Sequence, residues 1–462
     1  MMQHVDTLIQ GGSAITMDPT RRIIRDAAIA IDDGRIVAVG KRADLVGAYT
    51  AGRTIDGTGR VTTPGLVNSH IHFYHHLHRG MAPDDVDGSD WSDYVHSSFA
   101  PHITADDEVA SAYLVLTELA KSGTTSFLAA GSYHPGPVLE AISTFGLRGF
   151  EGRRTFDHNQ LGHAVLMDDT ETAIKRNREV MENYADSLKD NTVKPCVNIV
   201  GMGRCTDELI VAAKELADEF GTMLNMHLCA FEQEIGTVRE RVGMTPVEHL
   251  DSLGVLGPNL VLAHMVHVAD HEIELLASSK TNVVFNPGTA LKLVYGLSKS
   301  GKFPEMLDAG VNVALGTDAG DCANFMDMVR AMHLAAVLFK DIRHDPTVMG
   351  VETALEMATL NGARALGLQD EIGSIEVGKR ADLVMFDSDR PEWQPLYCEP
   401  YNLVLSATGT SADTVLVNGE PILESGVLST IDEAEVIDRI KASAERMVRE
   451  SGRTGPTSWP VV

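Results

Sequence analysis

Two histidines, His70 and His72, lie in the run Pro64-Gly65-Leu66-Val67-Asn68-Ser69-His70-Ile71-His72-Phe73. Gly65-Leu66-Val67 reads as a short buried strand, and on a strand residues i and i+2 point to the same face. Both imidazoles can therefore meet at a single metal ion. Taken alone, the pair reads somewhat better as metal ligands than as two ordinary polar residues leaving a strand. Three further residues bear on the choice. His227 closes the apolar run 223–227, His264 closes 260–264, and Asp318 follows the run 311–315. Imidazoles joined by a carboxylate suit Zn²⁺, Fe²⁺, Co²⁺ or Mn²⁺. Residue types do not choose among these ions.

Such distant residues act together only if the fold gathers them. The middle of the chain alternates short apolar runs with helix-like stretches. Strand candidates are 65–68, 124–129, 148–150, 196–200, 223–227, 260–264, 283–285 and 311–315. Helical stretches such as 108–121, 209–220 and 246–252 lie between them. This alternation predicts an α/β chain folded as a (β/α)₈ barrel over residues 64–365. A doubly wound sheet is the structural alternative, but no Gly-x-Gly-x-x-Gly follows a strand. In a barrel the active site lies at the C-terminal ends of the strands, where these histidines and Asp318 stand.

The two ends of the chain have a different style. Ala27–Ile31 and Arg35–Val39 flank Asp32-Asp33-Gly34, a strong hairpin signal. Similar strands return at 381–386 and 414–417, beside Asn418-Gly419. The expectation is one small β-sandwich domain built from residues 1–63 and 366–425. Residues 426–462 are expected to form an exposed helix at 432–451 and a loose tail.

The chain has 462 residues, 44% of them hydrophobic, and a net charge of −27. Such a charge disfavours nucleic acid or an anionic membrane surface as partner. A small-molecule substrate fits better. The N-terminus lacks the basic and apolar regions of a signal peptide, and no apolar run is long enough to span a membrane. The five cysteines, with no Cys-x-x-Cys spacing, read as reduced thiols in a cytoplasmic protein.

At this level of detail the chain resembles the amidohydrolase superfamily, in its mononuclear cytosine-deaminase-like and triazine-hydrolase-like branch. The resemblance covers almost the whole chain. It rests on the run 64–72, on Glu118–Thr125, Ala263-His264, Gly316-Thr317-Asp318, Asn361–Gly367 and Ile372–Val384. It implies that His70, His72, His227 and Asp318 hold one divalent ion, with His264 beside it to hydrogen-bond the water or the substrate oxygen. Binuclear relatives close strand four with a carboxylated lysine. Here Lys194 falls at the start of that strand, which favours one metal.

Departures from the branch bear on substrate. Deaminating relatives carry His-x-x-Glu after strand five, whereas this chain has His227-Leu228-Cys229-Ala230, and Glu232 and Glu234 are out of register. Phe285 replaces a histidine after strand seven. These losses resemble the subgroup of phenylurea and molinate hydrolases. The reading that follows is hydrolysis of a carbamoyl-type bond (thiocarbamate, urea or carbamate) in a small apolar molecule. Asp318 would serve as ligand and base, and His264 would stabilise the oxyanion. A metal ion would bring the pKa of water toward about 7. The alternative is an aminohydrolase or dechlorinase acting on a nitrogen heterocycle. A metal-free scaffold is a third class, disfavoured by the intact ligand positions.

Trp91, Tyr94, Phe285, Asn286, Cys322 and Asn324 are the expected substrate contacts. His267 reads as a support behind His264 or, equally, as packing at a helix start. His75, His76 and His78 read as loop histidines facing solvent. The resemblance further implies a homo-oligomer.

Overall fold

In the computed structural model, residues 2–86, 91, 98–158, 167–184, 192–453, 455–457 and 459 are described. The N-terminal strands are β1 (Gln3–Gln10), β2 (Ser13–Ile15), β3 (Ile23–Arg25), β4 (Ala27–Asp32), β5 (Arg35–Lys41), β6 (Tyr49–Asp56) and β7 (Arg60–Pro64). The barrel segment holds β8 (Leu66–Ile71), β9 (Thr124–Ala129), β10 (Arg148–Glu151), β11 (Arg154–Thr155), β12 (Val193–Pro195) and β13 (Val197–Gly201). It continues with β14 (Leu224–Leu228), β15 (Leu260–His264), β16 (Asn282–Phe285) and β17 (Asn312–Leu315). The last strands are β18 (Leu383–Asp387), β19 (Ala412–Val417), β20 (Glu420–Glu424) and β21 (Val427–Leu428).

The middle strands run parallel in two ladders, β12-β10-β9-β8 and β11-β13-β14-β15-β16-β17. β10 and β11 are two halves of one stave, as are β12 and β13, interrupted at Gly152 and Cys196. A Cβ on Gly152 would lie 2.0 Å from the Cys196 carbonyl oxygen, so only glycine admits this close crossing. Closure comes from β17 onto β8: Asp318 N–H donates to the His70 carbonyl at 2.9 Å, and His72 N–H to the Asp318 carbonyl at 3.2 Å. The result is the (β/α)₈ barrel that alternation predicted. Its strands are covered on both faces; every residue of β9 is buried.

Helices pack around the staves. The helix Ala105–Lys121 starts at Thr104, whose N–H donates to the Asp107 carboxylate at 2.9 Å in a capping box. The helix Glu433–Ser451 is less exposed than expected. Val436 and Met447 are buried, and Arg446 pairs with Asp107 while Glu433 pairs with Lys121. The described tail residues beyond it carry no helix or strand; the others lie outside the described residues.

The remaining strands form two sheets, β5-β4-β1-β6 and β21-β20-β19-β18-β7-β2-β3. The second interleaves the chain ends: β18 lies antiparallel to β7, which runs parallel to β2. Ile9, Ile29, Ile31, Leu383, Met385 and Leu416 form one apolar cluster between the sheets. This β-rich unit is joined to the barrel by a buried ion pair, Arg148 Nε to Asp382 Oδ2 at 2.7 Å. Among the described residues no helix is long and apolar enough to cross a membrane.

Candidate metal centre and active site

The barrel gathers His70 and His72 from the end of β8, His227 from β14, His264 from β15 and Asp318 from just past β17. Asp318 Oδ1 lies 3.6 Å from His70 Nε2 and 3.4 Å from His72 Nε2. His72 Nε2 and His227 Nε2 are 3.1 Å apart, and His264 Nε2 stands 4.0 Å from Asp318 Oδ2. His264 and Asp318 have φ of 79° and 65°. Such left-handed backbone costs on the order of 1 kcal/mol for a non-glycine residue, and it concentrates at functional sites. Inter-strand hydrogen bonds hold it: Asp318 N–H to His70 as above, and Met265 N–H to the Leu228 carbonyl at 3.0 Å.

The donor set fits a divalent ion. His227 Nδ1 donates to the Val200 carbonyl at 2.7 Å, which leaves its Nε2 lone pair facing His72. Both ring nitrogens of His70 and Nδ1 of His72 are buried without a hydrogen-bond partner. Burial pushes His72 and His227 well below the usual histidine range, toward the neutral form that ligates. Burial alone would raise the Asp318 carboxyl. The adjacent His70 ring and the other surrounding imidazoles instead hold it well below the usual carboxylate range. Neutral nitrogens converging on one carboxylate suit a Zn²⁺-type ion.

His264 plays a different part. Asn286 Nδ2 donates to its Nδ1 at 3.4 Å, so the neutral ring carries its proton on Nε2, toward Asp318. Burial lowers its pKa to about 4, which keeps it a neutral donor. The Tyr295 ring stands edge-on to it at 5.4 Å.

A cavity of about 530 Å³ opens onto the cluster. His72, His227, His264 and Asp318 line it together with Trp91, Arg154, Met202, Ala230, Phe231, Glu234, Tyr295 and Cys322. Trp91 and Cys322 thus stand where a substrate contact was expected. Phe285 does not. Its ring faces the barrel helices, stacked on Phe303 at 4.1 Å, because the side chain before Asn286 falls on the outer face of the stave. Asn286 backs His264 rather than lining the cavity. Asn324 is exposed in the turn after Asp318, where its amide donates to Gly320 and its oxygen accepts from Lys292. Tyr94 lies outside the described residues. His267 Nε2 donates to the Tyr295 carbonyl at 2.8 Å, so it supports His264 through Tyr295. Lys194 lines a separate cavity with Arg148 and Glu371.

The histidines of the next turn contradict expectation. His75, His76 and His78 form part of a short 3₁₀ helix, Tyr74–His78, and all are buried. Aromatic neighbours explain this: Trp91 stacks on His75 and Phe99 lies against His78.

Glu234 was set aside as out of register, and the structure brings it into the cavity wall. The helix Glu232–Val242 begins directly after β14, with Glu234 in its first turn. From there the side chain folds back, and Oε2 accepts the Ala230 N–H at 3.2 Å. Burial pushes its carboxyl up to about 7. The available signal was an acid at the third position of a helix, which reaches back to the preceding turn.

Residues 61–422 match the Amidohydrolase family. The chain is 35% identical over 428 residues to the 5'-deoxyadenosine deaminase of Methanothermobacter thermautotrophicus, covering 92% of this chain and 95% of that protein. It is 33% identical over 438 residues to the 5-methylthioadenosine/S-adenosylhomocysteine deaminase of Syntrophobacter fumaroxidans, covering 95% and 97%. Among solved structures, an adenosine deaminase from Xanthomonas campestris with bound zinc superposes with a TM-score of 0.90 at 28% identity, covering 97% and 100%. With this family match and relatives above 30% identity over more than 90% of the chain, the chain belongs to the amidohydrolase family.

Proposed function

We propose that this enzyme is a metal-dependent aminohydrolase that removes an exocyclic amino group from a nitrogen heterocycle of purine type. His70, His72, His227 and Asp318 would hold the ion, which supplies Lewis-acid activation of water. The carbamoyl reading rested on a missing proton donor, and its alternative is now the better supported. Glu234 carries the reading: it is a carboxylic acid in the wall shared with His227, His264 and Asp318, with a pKa of about 7. Similarity over nearly the whole chain to deaminases of adenosine-type substrates supports the same class. So does the cavity volume of about 530 Å³, within the usual range for small-molecule sites.

The roles follow from position. Glu234 gives its proton to the ring nitrogen next to the amino-bearing carbon. Asp318 accepts a proton from the attacking water. His264 Nε2–H donates to the oxygen that bonds to that carbon. Asp318 then passes its proton to the amino group, which leaves as ammonia, and the hydroxyl proton returns to Glu234. The ring ends as a lactam and both acids are restored.

The test is ammonia release from adenosine, 5'-deoxyadenosine, guanine, cytosine and an aminotriazine, with product assays on a phenylurea and a thiocarbamate. The highest kcat/KM is expected on an aminopurine. A higher value on the urea or thiocarbamate overturns the reading.

A further inference from the structure

His75, His78 and Asp321 form a second group of metal-type side chains, separate from the one above. All three are buried. His75 Nδ1 lies 2.9 Å from Asp321 Oδ1 and 3.1 Å from Oδ2, and His78 Nδ1 lies 3.6 Å from Oδ2. A tetrahedral ion with ligands at about 2.0–2.1 Å sets neighbouring donor atoms about 3.3 Å apart. The observed spacings bracket that value, as do those of the first cluster.

A plain hydrogen-bonded His75–Asp321 pair accounts for only part of this. His78 is fully buried, and neither of its ring nitrogens has a hydrogen-bond partner. At 3.6 Å its Nδ1 is beyond hydrogen-bond range of Asp321. Leaving such a nitrogen unpaired in the interior is unfavourable. A cation between the three donors removes that cost and neutralises the buried carboxylate.

We infer that His75, His78 and Asp321 bind a second divalent transition-metal ion of Zn²⁺ type, distinct from the catalytic one. Two imidazoles and a carboxylate suit such an ion. The site ties the 3₁₀ helix after β8 to the turn after β17, the two segments that carry His72 and Asp318. The His72 and His75 rings are 4.6 Å apart, so an ion here steadies the neighbouring ligand. Its role is structural, with no carboxylate shared between the sites.

Elemental analysis of the full-length chain tests this, after expression with added zinc and passage over a chelating resin. About two equivalents of metal per chain are expected in the wild type, and about one in His78→Leu and in Asp321→Asn. His227→Ala should keep the second ion while losing the first. One equivalent in the wild type, or two retained in His78→Leu, overturns the inference. Should the variants fail to fold, anomalous diffraction from wild-type crystals decides. A peak bonded to His75 Nδ1, His78 Nδ1 and Asp321 supports the site, and density at the first cluster alone refutes it.

Discussion

The two histidine–aspartate clusters use the same side chains and sit on adjoining segments, yet they are built differently. The first draws one or two residues from each of several stave ends, and its ligands face a cavity. The second takes both histidines from one short turn: His78 packs against Phe99, while His75 reaches the cavity wall beside Trp91. Catalysis needs partners that handle protons, and on the proposed reading His264 and Glu234 stand at the first cluster. A site that merely fastens two loops needs no such partners.

Breaking the first cluster should dominate. On the proposed roles Asp318→Asn would remove a ligand and the base together, and kcat on the best aminopurine should fall by at least about 10⁴-fold, the upper end of general-base effects. Asp321→Asn should cost no more than about 10–100-fold, the scale of a supporting partner. Equal losses, with metal content measured in both, would erase the distinction.

Glu234→Gln should lower kcat by about 10²–10³-fold. The raised pKa means that Glu234 holds its proton below about pH 7 and loses it above. Wild-type kcat/KM should therefore decline as pH rises through that value, and the variant should lack this limb. A retained limb would make Glu234 a helix cap and nothing more.

His264→Asn should reduce kcat about 10²-fold, the scale of one oxyanion donor, with unchanged metal content. A loss of metal would instead make His264 a ligand.

Arg148→Met is the remote control, with the smallest effect on turnover. Arg148 and Asp382 have only 8% and 1% of their side chains exposed. Removing one partner of such a buried pair costs about 3–5 kcal/mol. Denaturant unfolding should register that loss, while kcat per folded molecule stays unchanged. A large fall in kcat would couple the β-rich unit to the chemistry.

The staves were readable in the chain to within a few residues, because buried parallel strands are short apolar runs set apart by helical ones. β9 and β15 match the expected 124–129 and 260–264. The cluster residues were readable for a related reason: a histidine or aspartate ending such a run must stand at the barrel mouth. Phe285 misled because a substitution was judged by motif position, whereas the alternation of the strand sends that ring outward. The burial of His75, His76 and His78 had no local signal, since the aromatic residues covering His75 and His78 arrive from elsewhere in the chain.

Residue order alone settled what depends on local periodicity: the alternation that makes a barrel, the hairpins at both ends, and the polar residues at stave ends. Convergence between distant segments was settled only on folding. Whether Ala230 left the site without an acid depended on how the helix Glu232–Val242 leaves β14 and turns Glu234 back toward the cavity. Side-chain direction at a helix start follows from backbone geometry and packing, neither of which is written in the spacing of a motif.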